Sequence, residues 1–209
     1  MSQFVPTVFL DRDGTINIDT GYISDASKLS LIPGAAKAIA KLKESGFRVV
    51  VVSNQSGIGR GLITLEQLES VNNKLVELLL EEDSQAQIDL ILFCPHTPDA
   101  GCNCRKPLGG MVAELLKDLS DEPSSIILGD IITSGDWKDY AWVVGDKVSD
   151  VGLGDTLGLN SSHQFLVMTG NGQSELKKLG SRDSLPRVSD SISEAARDII
   201  NEVNILFSQ

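Results

Sequence analysis

The chain has 209 residues, 41% of them hydrophobic, and a formal net charge of -11 at pH 7. This length suits one α/β domain with its own core, so we expect a single domain over residues 1–209. An acidic surface repels a phosphate backbone, so nucleic acid is not an expected partner. No apolar run reaches the roughly 18–20 residues of a membrane span, and no secretory signal is visible. We therefore expect a cytoplasmic monomer with no membrane partner.

Short apolar runs alternate with amphipathic stretches along the chain. Strands are predicted at Val5–Leu10, Phe47–Val52, Ile88–Phe93, Ala141–Gly145 and Phe165–Met168. Helices are predicted after Pro33-Gly34, after a Thr64/Gln67 capping box, from about Gly110 to Leu119, after Asp146 and over Ile192–Phe207. This alternation predicts right-handed βαβ units and a doubly wound, mostly parallel α/β sheet. Residues 169–190 are rich in Gly, Ser and charge, and we expect a surface loop there.

Polar clusters follow four of the predicted strands. They are Asp11-Arg12-Asp13, Ser53-Asn54-Gln55, Arg105-Lys106 and Asp146-Lys147. In sheets of this kind, ligands bind beyond the carboxyl ends of the strands. The four clusters are therefore expected to meet in one site.

The residue types in these clusters suit phosphoryl transfer. Asp11, Asp13 and Asp146 offer hard oxygen ligands that suit Mg²⁺, and a carboxylate can attack phosphorus to form an acyl phosphate. Asp13 can act as general acid and base, while Ser53 and Lys106 can hold the phosphoryl oxygens. A calcium loop is the alternative for Asp-x-Asp-Gly, but position twelve of a loop that starts at Asp11 is not acidic.

The three cysteines of the chain all lie between residues 94 and 104. The predicted zinc ligands are Cys94, His96, Cys102 and Cys104. Three thiolates and one imidazole match a closed tetrahedral structural site, whereas a catalytic zinc would keep an open position. Buried free cysteines are the alternative. This zinc loop, residues 94–104, leads directly into Arg105 and Lys106, so zinc is expected to orient those two cations.

Four segments resemble, in order, the four motifs of the haloacid dehalogenase superfamily. They are FLDRDGTIN, VVSNQSGIGRG, CNCRKP and VVGDKVSD, and the resemblance covers residues 5 to about 160. The segment DTGY, the run NQSGIGRG and the cysteine cluster further resemble its capless, zinc-containing branch. The resemblance implies a Rossmann-like domain without a large cap. It also implies Asp11 as nucleophile and Asp13 as acid/base, with Mg²⁺ held by Asp11, the Asp13 carbonyl and Asp146.

The branch includes phosphatases of a heptose bisphosphate and of histidinol phosphate. We expect a small phosphorylated metabolite, and most of all a sugar bisphosphate, with Asn54, Arg105 and Lys147 as substrate contacts. The short gap between His96 and Cys102 favours histidinol phosphate, whereas RKPLGGM, NQSGIGRG and DTGY favour the heptose. A zinc-stabilised binding protein without catalysis is a third possibility. Such a protein is expected to lack the nucleophile or the motif lysine, and neither residue is missing here.

The position of the metal aspartate is less clear, because two Gly-Asp pairs precede Gly145-Asp146. In the resembled branch, the distance from the motif lysine, here Lys106, to the metal aspartate would suit Asp130 better, but only Asp146 begins the full GDKxxD pattern. We therefore expect Asp146 to be the ligand and residues of about 120–135 to be an insertion. Gly152 and Gly154 each weaken the following helix by about 1 kcal/mol relative to Ala, so we expect it to be short or closely packed on the sheet.

Overall fold

The structure is a computed structural model and describes residues 5–113, 136–180 and 185–207. The predicted insertion and Asp130 lie outside these residues. No helix in the described ranges is long and apolar enough to cross a membrane.

In the described part of the chain, six parallel strands form one sheet. They are β1 (Thr7–Leu10), β2 (Arg48–Asn54), β3 (Leu90–Cys94), β4 (Ala141–Gly145), β5 (Gln164–Val167) and β6 (Arg187–Ser189). The strand order is β3-β2-β1-β4-β5-β6, and every strand pairing is parallel. This is the order of a Rossmann-like doubly wound sheet, so the predicted fold class is confirmed. The bounds predicted for β4, Ala141–Gly145, are the observed ones, and the other four predicted strands differ from the observed ones by one or two residues at their ends, because a strand need not begin and end with its apolar run.

Helices connect the strands. They are α1 (Ala35–Glu44), α2 (Ser56–Gly59), α3 (Leu65–Glu82), α4 (Val148–Leu157), α5 (Gly172–Leu176) and α6 (Ile192–Phe207). Short 3-10 turns occur at Ala26–Lys28, Asp136–Tyr140 and Ser161–His163. Residues 110–113 are helical, and the rest of the helix predicted to reach Leu119 lies outside the described residues. Within residues 5–113 no domain is inserted between the strands.

The two faces of the sheet bury separate hydrophobic clusters. Val8 and Leu10 point to one face, where α1, α3 and α6 pack, and Phe9 points to the other, which α4 covers. This alternation follows from the two-residue period of a strand. A sheet covered on both faces explains why the central strands are nearly continuous apolar runs.

Local sequence signals define two of the helices. The capping box of α3 is present, because the Thr64 N–H donates to Gln67 Oε1 at 2.8 Å and the Gln67 N–H donates to Thr64 Oγ1 at 3.2 Å. The glycines of α4 permit close packing, since a Cβ on Gly154 would lie 2.7 Å from the Gln164 side chain. A Cβ on Gly152 would lie 2.8 Å from Pro107. The expected close packing of this helix is therefore observed.

The expectation of a surface loop over residues 169–190 is wrong for much of that stretch. It contains α5 and β6, and residues 169–171 contact the candidate active site. A three-residue strand and a five-residue helix are too short for hydrophobic periodicity to reveal them.

Candidate active site

The site lies where the direction of chain winding reverses in the sheet. Asp11 follows β1 and Asp146 follows β4, and these two strands are adjacent although they are far apart in sequence. The crevice at such a switch point is where doubly wound sheets bind ligands. Eight residues line the pocket there: Asp11, Asp13, Ser53, Asn54, Lys106, Lys147, Ser149 and Asp150. The four predicted strand-end clusters thus meet at one edge of the sheet.

Lys106 forms ion pairs with two carboxylates that line the pocket. Its Nζ lies 2.7 Å from Asp11 Oδ1 and 2.8 Å from Asp150 Oδ1, and it also donates to the Val52 carbonyl. Burial alone would lower the pKa of Lys106, but the charges of Asp11 and Asp150 raise it above its usual value. The lysine is therefore a fixed cation next to Asp11.

Asp11 is buried and crowded by negative charge. Burial, followed by the charge of Asp150, raises the pKa of Asp11 to about 7, although Lys106 and Lys147 act in the opposite direction. An anionic Asp11 at neutral pH therefore needs more positive charge than these lysines supply. A divalent cation would supply it.

Asp146 carries an oxygen suited to such a cation. Its Oδ1 is buried and has no hydrogen-bond partner among the described residues, with the Lys147 Nζ 3.8 Å away. Asp11, Asp146 and Asp150 each present an oxygen within 4.8 Å of the others. Three hard oxygen donors of this kind fit Mg²⁺. Of the two aspartates left open by the sequence, Asp146 lies at this site, and Asp130 is outside the described residues.

The segment after β5 holds Asp146 in place, and the sequence analysis missed it. The backbone N–H and the side-chain amide of Asn171 both donate to Asp146 Oδ2, at 2.7 and 3.1 Å. Thr169 Oγ1 donates to the Gly14 carbonyl at 2.7 Å. A side chain at Gly14 or Gly170 would overlap the Asp146 carboxylate. The rule that found the other clusters, polar residues directly after a strand, would also have found this one.

Asp13 accepts hydrogen bonds from three side chains. Arg12 donates to both of its oxygens, Asn17 Nδ2 donates to Oδ1 at 3.0 Å, and Gln55 Nε2 donates to Oδ2 at 2.8 Å. Burial would raise the pKa of Asp13, but the charge of Arg12 and these hydrogen bonds hold it below its usual value. Gln55 also donates to Ser53 Oγ at 2.7 Å, so it connects two predicted catalytic residues.

Asn54 borders the pocket, and its amide is bound to the backbone of Lys106. Its Nδ2 donates to the Lys106 carbonyl at 3.1 Å, and its Oδ1 accepts the Lys106 N–H at 3.0 Å. These two bonds join the end of β2 to the segment after β3. Asn54 therefore positions Lys106, whatever contact it also makes with a substrate.

The two predicted substrate-binding cations lie in different places. Lys147 lines the pocket, and its Nζ is 3.2 Å from Asp19 Oδ2. Arg105 is not among the described residues that line the pocket, and its Nη1 donates to the His96 carbonyl at 3.2 Å. Asp19 is a carboxylate beside the site that sequence reasoning missed.

The predicted zinc ligands meet at the end of β3. Cys94 Sγ lies 3.2 Å from Cys104 Sγ and 3.7 Å from Cys102 Sγ, and His96 Nδ1 lies 3.2 Å from Cys104 Sγ. A tetrahedral zinc with bonds of about 2.0–2.3 Å would separate its ligands by roughly 3.5–3.8 Å. Burial raises the pKa of the Cys94 and Cys104 thiols, an effect that a bound cation would offset. The cluster therefore fits zinc.

Comparison with known proteins agrees with this geometry. A family model described as polynucleotide kinase 3 phosphatase matches residues 10–150. A D-glycero-beta-D-manno-heptose-1,7-bisphosphate 7-phosphatase from Yersinia pestis is 37% identical over 177 residues, covering 81% of this chain and 84% of the relative.

Two solved structures are similar over most of the chain. One is a D,D-heptose 1,7-bisphosphate phosphatase from B. bronchiseptica, complexed with magnesium and phosphate. Its TM-score is 0.76 and its sequence is 30% identical. The match covers 94% of this chain and 99% of the B. bronchiseptica chain. The other is a HAD-like phosphatase from Mesorhizobium loti, with a TM-score of 0.69 and 31% identity over 97% of this chain and 88% of its own.

The fold and the site together define a phosphatase of the haloacid dehalogenase type. The chain belongs to the polynucleotide kinase 3 phosphatase family, and it shares a family with the heptose-bisphosphate 7-phosphatases that it matches over about four fifths of its length.

Proposed function

We propose that this chain is a magnesium-dependent D-glycero-D-manno-heptose 1,7-bisphosphate 7-phosphatase that acts through a phospho-aspartate at Asp11. One observation carries the chemistry: the Asp11 carboxylate, held by Lys106 at 2.7 Å, presents an oxygen within 4.8 Å of a carboxylate oxygen of Asp146, and Asp146 Oδ1 accepts no hydrogen bond from the described residues. The substrate follows from the relatives in Yersinia pestis and B. bronchiseptica, whose names state it.

In the first step, an oxygen of Asp11 attacks phosphorus and the bond from phosphorus to the ester oxygen breaks. Asp13 gives a proton to the departing alkoxide, so a neutral alcohol leaves. In the second step, water attacks the phosphorus of the phospho-aspartate. Asp13 takes a proton from that water, and Asp11 and inorganic phosphate are released. Lys106 and Ser53 bind the phosphoryl oxygens during both steps.

Asp11, Asp146 and the backbone carbonyl of Asp13 are the residues that would hold magnesium, with Asp150 as a neighbouring carboxylate. When bound, magnesium neutralises charge on the phosphoryl group and shields it from the anionic nucleophile. Asp150 positions Lys106 and the start of α4, because its Oδ2 also accepts the Lys147 N–H at 2.9 Å.

Zinc has a structural role in this proposal. The zinc loop ends next to Arg105 and Lys106, and the Arg105 side chain is bonded to the carbonyl of His96. A closed tetrahedral site would fix the segment that carries the catalytic lysine. The proposal also takes the chain to be a single-domain monomer that acts in the cytoplasm.

A lysine and a serine hydroxyl that line the pocket favour a substrate with a second phosphate and several hydroxyls. Lys147, Ser149 and Asn54 line the pocket beyond Asp11, and Arg105 lies on the neighbouring loop. A sugar bisphosphate needs a cation away from the reacting phosphate and polar partners for its hydroxyls. A polynucleotide is a less suitable substrate, because a net charge of -11 repels a long phosphate backbone.

Histidinol phosphate is the second candidate, and Asp19 is the observation that favours it. The amine of that compound calls for a carboxylate near the reacting phosphate, and Asp19 lies beside Lys147 at the site. Asp19 is already engaged with Lys147 and with Asn171 Nδ2, at 3.2 and 3.4 Å. This ion pair engages Lys147 as much as Asp19, so the preference for the heptose bisphosphate rests on the names of the relatives.

Side-by-side kinetics test the substrate. We expect purified protein with magnesium to show a kcat/KM at least ~10-fold higher for the heptose bisphosphate than for histidinol phosphate, a difference of ~1.4 kcal/mol. Asp11→Asn protein, prepared in the same way, controls for a contaminating phosphatase. Equal or inverted values would favour histidinol phosphate. Failure to hydrolyse any aryl or sugar phosphate would favour a zinc-stabilised binding protein instead.

A further inference from the structure

Arg12, between the nucleophile and the proposed acid/base, is almost completely buried. It is 1% exposed, and its guanidinium faces the carboxylate of Asp13. Nε lies 3.2 Å from Oδ1, and Nη2 lies 3.1 Å from Oδ1 and 2.9 Å from Oδ2. Burying a charge of this kind is costly unless it is paired and hydrogen-bonded. The arrangement thus fastens Asp13 through both of its oxygens.

The other edge of the guanidinium is fixed by helix α3. Nη1 of Arg12 donates to Asn72 Oδ1 at 2.8 Å, across 60 residues of sequence. A guanidinium is planar and its donors form a rigid fork. Contacts at both edges therefore fix the plane of the Arg12 group, and with it the orientation of the Asp13 carboxylate.

The contacts of Asp13 show why this orientation matters. Asp13 and Asp11 line the same pocket, and Asn17 and Gln55 each add one hydrogen bond to an Asp13 oxygen. We propose that Arg12 and Asn72 form a positioning pair that holds the Asp13 carboxylate in one orientation in the pocket, where it exchanges a proton with the leaving-group oxygen. This inference rests on the proposed function, in which Asp13 protonates that oxygen.

Substrates with different leaving groups distinguish a residue that positions the general acid from a residue that has only a structural role. Phenolate needs a proton to leave readily, whereas dinitrophenolate leaves without one. A well-positioned general acid accelerates the former by roughly 10²–10⁴-fold and has little effect on the latter. Loss of positioning should therefore slow phenyl phosphate hydrolysis more than dinitrophenyl phosphate hydrolysis.

The experiment compares kcat/KM, which reports the step in which the leaving group departs, on these two substrates for Asn72→Ala and Arg12→Lys, with magnesium and the intact chain. We expect the ratio of kcat/KM for dinitrophenyl phosphate to kcat/KM for phenyl phosphate to rise roughly tenfold for Asn72→Ala and further for Arg12→Lys. Arg12→Lys keeps the charge and loses the fork. Asn73→Ala, at an exposed position next to Asn72 on α3, is the matched control and should keep the wild-type ratio.

The ratio is measured within one preparation, so it does not depend on how much of a variant is folded. Asp13→Asn is the reference and should raise the ratio most. If Asp13→Asn leaves the ratio unchanged, the proposed role of Asp13 is wrong. If Asp13→Asn raises it while Asn72→Ala and Arg12→Lys do not, the positioning pair is refuted and the role of Asp13 stands.

Discussion

Both hydrogen bonds that Asn171 donates to Asp146 go to the same carboxylate oxygen, Oδ2. The backbone N–H and the side-chain amide of Asn171 are the donors, whereas Oδ1 has no hydrogen-bond partner among the described residues. A carboxylate held in this way cannot rotate, so Asp146 keeps one orientation beside Asp11 and Asp150. Partners that orient a metal ligand commonly affect metal affinity by 10–100-fold.

Asn171→Ala is therefore expected to raise the magnesium concentration needed for half-maximal activity by roughly tenfold, at the lower end of that range because the backbone bond remains. Asp146→Ala should have a much larger effect, because the ligand itself is lost. Magnesium titrations of phosphatase activity measure both changes. Asn201→Ala, at an exposed position on α6, is the control and should match the wild type. An unchanged titration for Asp146→Ala would remove that residue from the metal site.

Asp11→Asn is expected to fold normally and to lose at least ~1000-fold in kcat, because an amide cannot form the acyl phosphate. The change also removes a charge that lies close to Asp146 and Asp150, and Lys106 keeps Asp150 as its ion-pair partner at 2.8 Å, so thermal stability should not fall. Steady-state kinetics and a melting curve on the same sample check the two parts. Asp139→Asn, at an exposed position in a 3-10 turn, provides the matched control. Near-wild-type turnover by Asp11→Asn would exclude the phospho-aspartate.

The sequence predicted the fold class and the main site clusters for a physical reason. In a parallel sheet, the ends of successive strands lie at one edge, so polar residues after each apolar run must lie near one another. Asp11, Ser53, Lys106 and Asp146 were found in this way. The four zinc ligands were found because thiols and imidazole cluster in one short loop.

The contacts that were missed depend on pairings across long sequence distances. Arg12 looked like an ordinary polar residue, and arginine is usually exposed; one of its hydrogen-bond partners, Asn72, lies 60 residues away. Asn171 comes after a predicted strand, but it lies in a stretch without the hydrophobic periodicity that predicts a helix or a strand. Asn54 was expected to contact substrate, but its amide is bonded to the backbone of Lys106, a pairing that only the folded sheet reveals.

The zinc loop gives a prediction for stability. Cys102→Ser should weaken zinc binding by at least ~100-fold, or ~2.7 kcal/mol. Because a metal that binds only the folded state stabilises it, Tm should fall by about 5–10 °C. Activity should fall as well, because the loop leads to Lys106. We expect metal analysis to find one zinc per wild-type chain, as a single four-ligand site would hold.

Ala100→Ser, at an exposed position in the same loop, is the control for the added hydroxyl and should keep zinc, Tm and activity. Full activity and unchanged stability of the zinc-free wild-type protein would contradict a structural role for zinc.

The raised pKa of Asp11 gives a prediction for pH. Burial and the charge of Asp150 raise it to about 7 without metal, whereas an unfolded Asp titrates near 3.9. Between these values the folded protein binds more protons than the unfolded chain, so this group makes the free energy of unfolding fall as pH rises. A divalent cation at the site replaces that proton. Below about pH 7, magnesium must displace it, and the apparent affinity for magnesium should fall by up to ~10-fold per pH unit.

Magnesium should therefore raise Tm more at about pH 8 than at about pH 5.5, where Asp11 is mostly protonated. Melting curves with and without magnesium at the two pH values measure this difference. In Asp11→Asn the titrating group is gone, so the dependence of the magnesium effect on pH should weaken. Burial also raises the pKa of Asp146 in the same direction, so some dependence should remain. An equal magnesium effect at both pH values in the wild type would mean that magnesium and a proton do not compete for Asp11.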